Sequence, residues 1–413
     1  MFAPLSRAIP VLAVVTATAS AQVTVPPDTI TTVVDGDSLP HFGAVGGVMV
    51  DGLGYVYHAN FRNTVWRFTP GVGVEPHADG LYGASGNAIG PHGELYQSSF
   101  TGNYVSRIAR DGSATVIADS GVAGPVGIAV GDDGALFVCA CNANAIVRIA
   151  PGGAVSTLAS GPLFACPNGI TRDDLGDLYV VNFSNTTVVR ITPDGTASAF
   201  ADIAGSGGNG HITFARNGFY VTKFRGHQVY RLERDGSSRV IAGTGTRGHT
   251  DGPALEAMLT QPNGIAWSAA TRELWINELV SGNGVAGGAA RSLLRRIRIV
   301  TVADVIAAAP PGPESVASAY RAYQAARPHD LVAGEAIAAA YAMFTPARAA
   351  DALAIFELAA NDHPDDANAQ YHLGEAYRFT GQGEKAAAQF RRVLALQPGH
   401  SNAKARLAMV EGG

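Results

Sequence analysis

The stretch Gly127-Ile128-Ala129-Val130, continuing through Asp133-Gly134 to Leu136-Phe137-Val138 and then Arg148-Ile149, decides the fold because the chain repeats it. Gly169-Ile170 leads in the same way through Gly176 to Leu178-Tyr179-Val180-Val181-Asn182 and Arg190-Ile191. Gly47-Val48-Met49-Val50 leads through Gly54 to Tyr55-Val56-Tyr57 and Arg67-Phe68. The opening glycines are Gly47, Gly86, Gly127, Gly169, Gly210 and Gly264, so the steps are 39, 41, 42, 41 and 54 residues. Self-similarity at a fixed period of this size marks a repeat architecture.

Within each copy, three short alternating apolar runs are separated by Gly, Asp or Asn, which reads as strand, turn, strand, turn, strand. A fourth run follows in most copies: Val116-Ile117-Ala118, Val155-Ser156-Thr157-Leu158, Ala199-Phe200-Ala201 and Val240-Ile241-Ala242. Four strands per repeat at this period describe the blade of a β-propeller, and six copies predict six blades. The sixth copy lacks an obvious fourth strand, whereas Thr29 to Gly36 reads as an unattached one. Pairing the two closes the ring and removes two exposed sheet edges. The rival fourth strand is Val300 to Val305. An arginine follows each of the first five glycines (Arg67, Arg107, Arg148, Arg190, Arg231) and is expected to brace neighbouring blades.

The 413 residues accommodate more than one domain. At Ala307-Ala308-Ala309-Pro310-Pro311-Gly312-Pro313 the composition turns to Ala, Leu, Glu and Arg at helical spacing. There Ala352, Phe356 and Pro364 recur as Ala386, Phe390 and Pro398, with Leu373, Gly374 and Tyr377 ahead of the second copy. This resembles the tetratricopeptide repeat, in which small residues let two helices cross closely. The first copy departs from that pattern, with Ala340 for Gly and Met343 for Tyr. The organisation expected is a signal peptide over 1–21, a propeller over 22–306, a Pro/Ala linker over 307–313 and a tetratricopeptide-like helical domain over 314–413.

The leader reading rests on Arg7, an apolar core from Ala8 to Thr18 and the cleavage pattern Ala19-Ser20-Ala21. It predicts export to the periplasm or the exterior. No other segment is long and apolar enough for a transmembrane helix. Charged residues make up 15% with a net charge of −5, and there is no basic stripe, so nucleic acid is excluded as a partner. An exported chain with Cys139, Cys141 and Cys166 is expected to hold one disulfide. Cys141 just past the second strand of blade 3 and Cys166 just before the first strand of blade 4 share a rim, which favours Cys141–Cys166, with Cys139 as the alternative to Cys141. A zinc site is the competing reading of the cluster.

Residues that precede each opening glycine or end each second strand are candidates to ring the channel mouth. They single out Asn60, Asn168, Asn182, Asn209, Lys223, Asn263 and Glu278 as ligand-binding residues, and His211, just inside the first strand of blade 5, joins them. His211, with Asn209 and Lys223 near it, is also a candidate general base.

Pro262-Asn263-Gly264-Ile265-Ala266-Trp267-Ser268 and Pro167-Asn168-Gly169 resemble a segment of the gluconolactonase and senescence-marker-protein family. That resemblance implies a divalent cation, Ca²⁺ above all, held by Asn168 and Asn263. The family's glutamate and aspartate are missing, since the matching places read Gly46-Gly47-Val48 and Asn209-Gly210-His211. Ala242 to Gly248, Asp251 to Ala254 and Gln261 to Ala266 resemble NHL repeats, whose propellers mostly bind proteins, sugars or other ligands. The expectation is a ligand-binding and protein-interaction module whose helical repeats take a protein or peptide partner. The enzymatic alternative is a metal-dependent lactonase or related hydrolase built on Asn168, Asn209, Asn263 and Glu278.

Overall fold

In the computed structural model, residues 23–39, 42–205, 207–281, 290–330 and 332–412 are described. The expected leader, with its cleavage site, lies outside them. Six antiparallel sheets follow the glycine period. Blade 1 runs through Val48–Val50, Val56–Ala59, Val65–Thr69 and Gly73–Ala78. Blades 2, 3, 4 and 5 open with Ala84–Ile89, Pro125–Val130, Pro167–Arg172 and Asn209–Ala215, and each adds three further strands in sequence order. Blade 6 comprises Pro262–Ser268, Glu273–Ser281 and Arg291–Arg298.

The ring closes as the unattached strand predicted. Thr29–Asp35 pairs antiparallel with Arg291–Arg298, matching Ile30 to Ile297 and Thr31 to Arg296. Its rival, Val300 to Val305, mostly goes into a short helix over Val302–Ala308. Closure covers the outer edge of Arg291–Arg298, where blade 6 would otherwise expose unpaired backbone donors and acceptors.

The opening glycines have a common physical cause. A Cβ on Gly127 would lie 2.6 Å from the Asn168 carbonyl oxygen, and one on Gly169 would lie 2.6 Å from the His211 Cα. A Cβ on Gly264 would lie 2.6 Å from the Val48 nitrogen, which carries the same contact across the closure. Each inner strand therefore rests against the backbone of the next blade, and only a residue without a side chain fits there. Apolar residues of both faces fill the wedges between blades: Ile128, Val138 and Val147 against blade 2, Val180, Val189 and Ile170 against blade 3.

The repeated arginines act within blades rather than between them. Arg67 binds Glu75 at 2.5 Å, Arg148 binds Asp133 at 2.6 Å and Arg190 binds Asp177, each pair inside one blade. Their third-strand position places them opposite the aromatic of the second strand, as Tyr57 is opposite Arg67 and Tyr179 opposite Arg190. Blades are instead joined laterally by other arginines, among them Arg172 to Asp132 and Arg234 to Asp173.

Seven helices follow among the described residues: α1 Val302–Ala308, α2 Pro313–Ala326, α3 Ala333–Met343, α4 Ala349–Asp362, α5 Ala367–Phe379, α6 Gly383–Leu396 and α7 Ser401–Glu411. The residues of the 34-residue match form the centre of their core: Ala352, Phe356, Ala386 and Phe390 are all buried. A Cβ on Gly374 would lie 2.7 Å from the Phe390 ring, so the glycine is what lets α5 and α6 cross. Ala340 takes that role in the first pair and is fully buried.

The helices are fastened to the propeller face remote from the Asn168 end of the inner strands. Arg216, in the turn of blade 5, donates to both Glu335 oxygens at 2.7 and 3.0 Å, to the Asp330 carbonyl and to the Tyr323 hydroxyl. Arg239 binds Asp330 at 2.5 Å and Arg327 binds Asp28 at 2.8 Å. No helix among the described residues is long and apolar enough to cross a membrane.

Candidate functional site

The inner strands begin at one rim of the ring, and the second strands return to it. At this rim lies a cavity of about 610 Å³. Its floor is built by residues that precede the opening glycines: Ser85, Val126, Asn168 and Asn263, with Val45 from blade 1. Its wall comes from the residue just beyond the second-strand position in each blade: Phe61, Phe100, Cys141, Phe183, Phe224 and Leu279. Four of these six are phenylalanines, and they stand in two pairs. The ring centroids of Phe61 and Phe100 are 5.5 Å apart, as are those of Phe183 and Phe224. The four rings are only half-buried, so they offer apolar faces to whatever enters. Between blades 3 and 4 the wall is completed by the disulfide that joins Cys141 to Cys166, while Cys139 stays free and buried. Arg225 is the one lining residue among those described that carries a charge.

The two Pro-Asn-Gly segments have a structural task at this floor. Asn168 Nδ2 donates to the Gly210 carbonyl at 2.7 Å and lies 3.4 Å from that of Asn209. Asn263 Nδ2 donates to the Val45 and Gly46 carbonyls at 3.1 and 3.0 Å. Each asparagine thus latches its blade to the following one, or in the case of Asn263 latches blade 6 to blade 1. Carbonyl acceptors fix which end of each amide is nitrogen. What remains of both side chains for the cavity is the Oδ1 acceptor. Ser85, 1% exposed, adds a hydroxyl with no hydrogen-bond partner among the described residues.

The other sequence candidates are drawn away from this cavity. Asn60 Oδ1 accepts from the Arg62 and Thr64 backbone N–H groups and so shapes the turn below Phe61. Asn182 accepts from Ala165 N–H and donates to the Leu163 carbonyl. Asn209 accepts from the buried Lys223 ammonium, which also donates to the Ile203 carbonyl at 2.9 Å. Burial lowers the Lys223 pKa, with Asp202 opposing the shift. Glu278 is fully buried against Arg295 at 2.9 Å and accepts from Thr260 N–H. Burial pushes its carboxyl up, against the pull of Arg295. His211 lines a second cavity of about 210 Å³, further along the inner strands, together with Asn87 and the apolar residues Ile128, Ile170 and Ile265. Its Nε2 has no partner there, and burial pushes its pKa down to about 4, so it is neutral at physiological pH. Asn209 and Lys223 are bonded to each other and to backbone, not to this ring, so the trio does not form a base with its orienting partners.

The donor set does not fit calcium. That ion takes about six to eight oxygens with carboxylates prominent among them. Here Asn168 and Asn263 offer one amide oxygen each, and among the described residues no carboxylate lines the cavity. Among the described residues no group of three or more His, Cys, Asp or Glu is placed to hold a metal ion.

The phenylalanine collar escaped the sequence reading by one residue. Its signal was present: Phe61, Phe183 and Phe224 fall directly after Asn60, Asn182 and Lys223, and Phe100 directly after Ser99, which ends the second strand of blade 2.

The fold is a six-bladed propeller carrying a tetratricopeptide-like repeat. The profile of the virginiamycin B lyase family matches residues 76–278, and that of the tetratricopeptide repeat matches residues 344–410. No curated protein sequence matches the chain. Among solved structures it is similar to a Bacteroides thetaiotaomicron protein of unknown function, at 17% identity and a TM-score of 0.56, over 66% of this chain and 76% of that one. It is also similar to an auxiliary nutrient binding protein from the same species, at 15% identity and a TM-score of 0.55, over 65% and 76% of the two chains. A catalytically inactive virginiamycin B lyase from Staphylococcus aureus, solved with quinupristin, has 21% identity and a TM-score of 0.47 over 63% and 83%. At these identities the likeness is one of fold, and activity has to be argued from the site.

Proposed function

We propose that the protein is an exported binding and interaction module: the propeller mouth takes a small ligand, and the helical repeats recruit a protein or peptide partner. The observation that carries the reading is the mouth itself, a cavity of about 610 Å³ walled by four phenylalanines and floored by a few fixed polar groups. Concave, mostly apolar pockets of this size with few oriented polar groups are typical small-molecule sites. The partner role is supported by the tetratricopeptide repeat match and by aromatic side chains left open on the helices, with Phe379 62% exposed on α5. Export is supported by the Ala19-Ser20-Ala21 pattern and by the Cys141–Cys166 disulfide.

The lyase profile favours one alternative, catalysis at the same mouth. Proton abstraction or acyl transfer there requires an acid, a base or a nucleophile with a base beside it. The lining residues supply only the Ser85 hydroxyl, with no partner, and the Arg225 guanidinium. The lactonase reading lacks in addition the carboxylates for its metal. Binding without turnover is therefore the reading kept. A thermal-shift series with uncharged aromatic compounds, run beside a lactone assay with and without calcium, tests it. Stabilisation by ligands with no calcium-dependent hydrolysis is expected. Hydrolysis that needs calcium and is lost in Asn168→Ala would overturn it.

A further inference from the structure

We infer that the mouth selects an uncharged, largely apolar molecule that enters with an O–H or N–H donor leading. This rests on the binding reading above and adds the chemistry of the ligand. The two latches set the chemistry of the floor. Because Asn168 and Asn263 spend their Nδ2 groups on the carbonyls of the next blade, neither can turn its amide without placing oxygen against oxygen. The floor therefore presents Oδ1 acceptors from blades 4 and 6, fixed in direction by the closure of the ring. Ser85 of blade 2, buried and unpartnered, is free to accept as well.

A floor of acceptors discriminates by charge as well as by hydrogen bonding. An anion beside Asn168 and Asn263 meets their amide oxygens, with the Ser85 hydroxyl as the donor of that floor, while Gln261 and Arg225 are the other lining residues that carry N–H donors. A cation meets acceptors but no carboxylate to offset its desolvation, and Arg225 at the cavity repels it. A neutral donor has neither difficulty. Around it Phe61, Phe100, Phe183 and Phe224 with Val45, Val126 and Leu279 cover an apolar body. Asn168, Asn263 and Ser85 carry no charge to offset that of a ligand on the floor, whereas a leading hydroxyl or amide N–H satisfies their acceptors.

The test is a matched pair titrated into the full chain by calorimetry: 2-naphthol, with one O–H donor, and 2-methoxynaphthalene, in which a methyl group blocks it. The expected result is tighter binding of 2-naphthol by about tenfold, the ratio that one well-placed buried hydrogen bond gives. The preference should fall in Asn168→Ala, Asn263→Ala or Ser85→Ala, with circular dichroism and melting used to confirm that each variant is folded. The wild-type comparison stands even if a latch variant does not fold. Equal or tighter binding of the ether overturns the donor-first inference and leaves the binding reading intact. Failure of both probes to bind at millimolar concentration overturns the apolar site as a whole. A preference that survives in all three folded variants overturns the assignment of the acceptors.

Discussion

Acid should loosen the seam between blades 6 and 1 through one histidine. His58 is 1% exposed on the second strand of blade 1, and its ring packs at a tilt of 31° against Phe42 with centroids 4.5 Å apart. Asn277 of blade 6 fixes its protonation. Because Asn277 Oδ1 accepts from Gly264 N–H at 2.7 Å, its Nδ2 is the end that lies 2.9 Å from His58 Nδ1. That nitrogen must accept, and the opposite Nε2–H faces the Phe42 carbonyl at 3.3 Å. Adding a proton would set N–H against N–H at a ring that is only 1% exposed. Burial accordingly pushes the His58 pKa down from 6.5 to about 4, the Phe42 carbonyl opposing the shift. The unfolded chain binds this proton more readily than the native one, so stability is complete above the unfolded pKa of about 6.5 and is lost as the pH falls towards 4. At pH 5 the loss from this group alone is about 2 kcal/mol relative to pH 7. His58→Gln keeps an acceptor for Asn277 and cannot titrate. Urea unfolding of both proteins at several pH values between 7 and 5 reads the difference directly, since His211 and the carboxylates cancel. The variant should start less stable at pH 7, and the gap should shrink by about 2 kcal/mol at pH 5. A gap that stays constant over this range would refute the neutral, buried histidine and the Asn277 bridge from which it was argued.

Three other perturbations probe the ring and its attachment. Gly127→Ala drives a methyl group to 2.6 Å from the Asn168 carbonyl, so denaturant unfolding should show a loss on the order of 1–3 kcal/mol even though alanine is otherwise a benign change. Removing the Cys141–Cys166 link, which spans a sequence separation of 25, by paired serines should cost about 3 kcal/mol and widen the mouth, visible as a lower melting temperature without loss of fold. Glu335→Ala leaves Arg216, only 4% exposed, without its carboxylate, and limited proteolysis should then cut between the propeller and the helices faster than in the wild type.

Most of the architecture could be read from residues because its constraint is local and steric. Each blade must bring its inner strand against the next backbone, only glycine permits that, and the spacing of Gly47, Gly86, Gly127, Gly169, Gly210 and Gly264 counts the blades. The closing strand was legible because blade 6 visibly lacked a fourth run and Thr29–Asp35 supplied one. The site was harder. Pro-Asn-Gly looked like a metal motif, yet the same asparagine geometry that suits a cation also suits a latch onto neighbouring carbonyls, and only the position of Val45 and Gly46 beside Asn263 separates the two. The collar was missed because each phenylalanine lies just past the end of its second strand, where the chain turns and strand alternation no longer sets the side-chain direction. Asn60 turns into its own turn while Phe61, at a positive φ of 52°, turns to the mouth. The roles of Lys223 and Glu278 depend on partners far away in sequence, Ile203 and Arg295, which no local spacing announces.

The most direct test of the mouth is a fluorescence titration of the folded chain with N-phenyl-1-naphthylamine, a neutral apolar probe with one N–H donor, beside a Phe100→Ser/Phe183→Ser variant of matched circular dichroism. One saturable site in the wild type, abolished or weakened at least tenfold in the variant, is the result predicted from loss of two of the four ring faces. No saturable binding, or equal binding by both proteins, would contradict the claim that the phenylalanine-walled mouth is where this propeller takes its ligand.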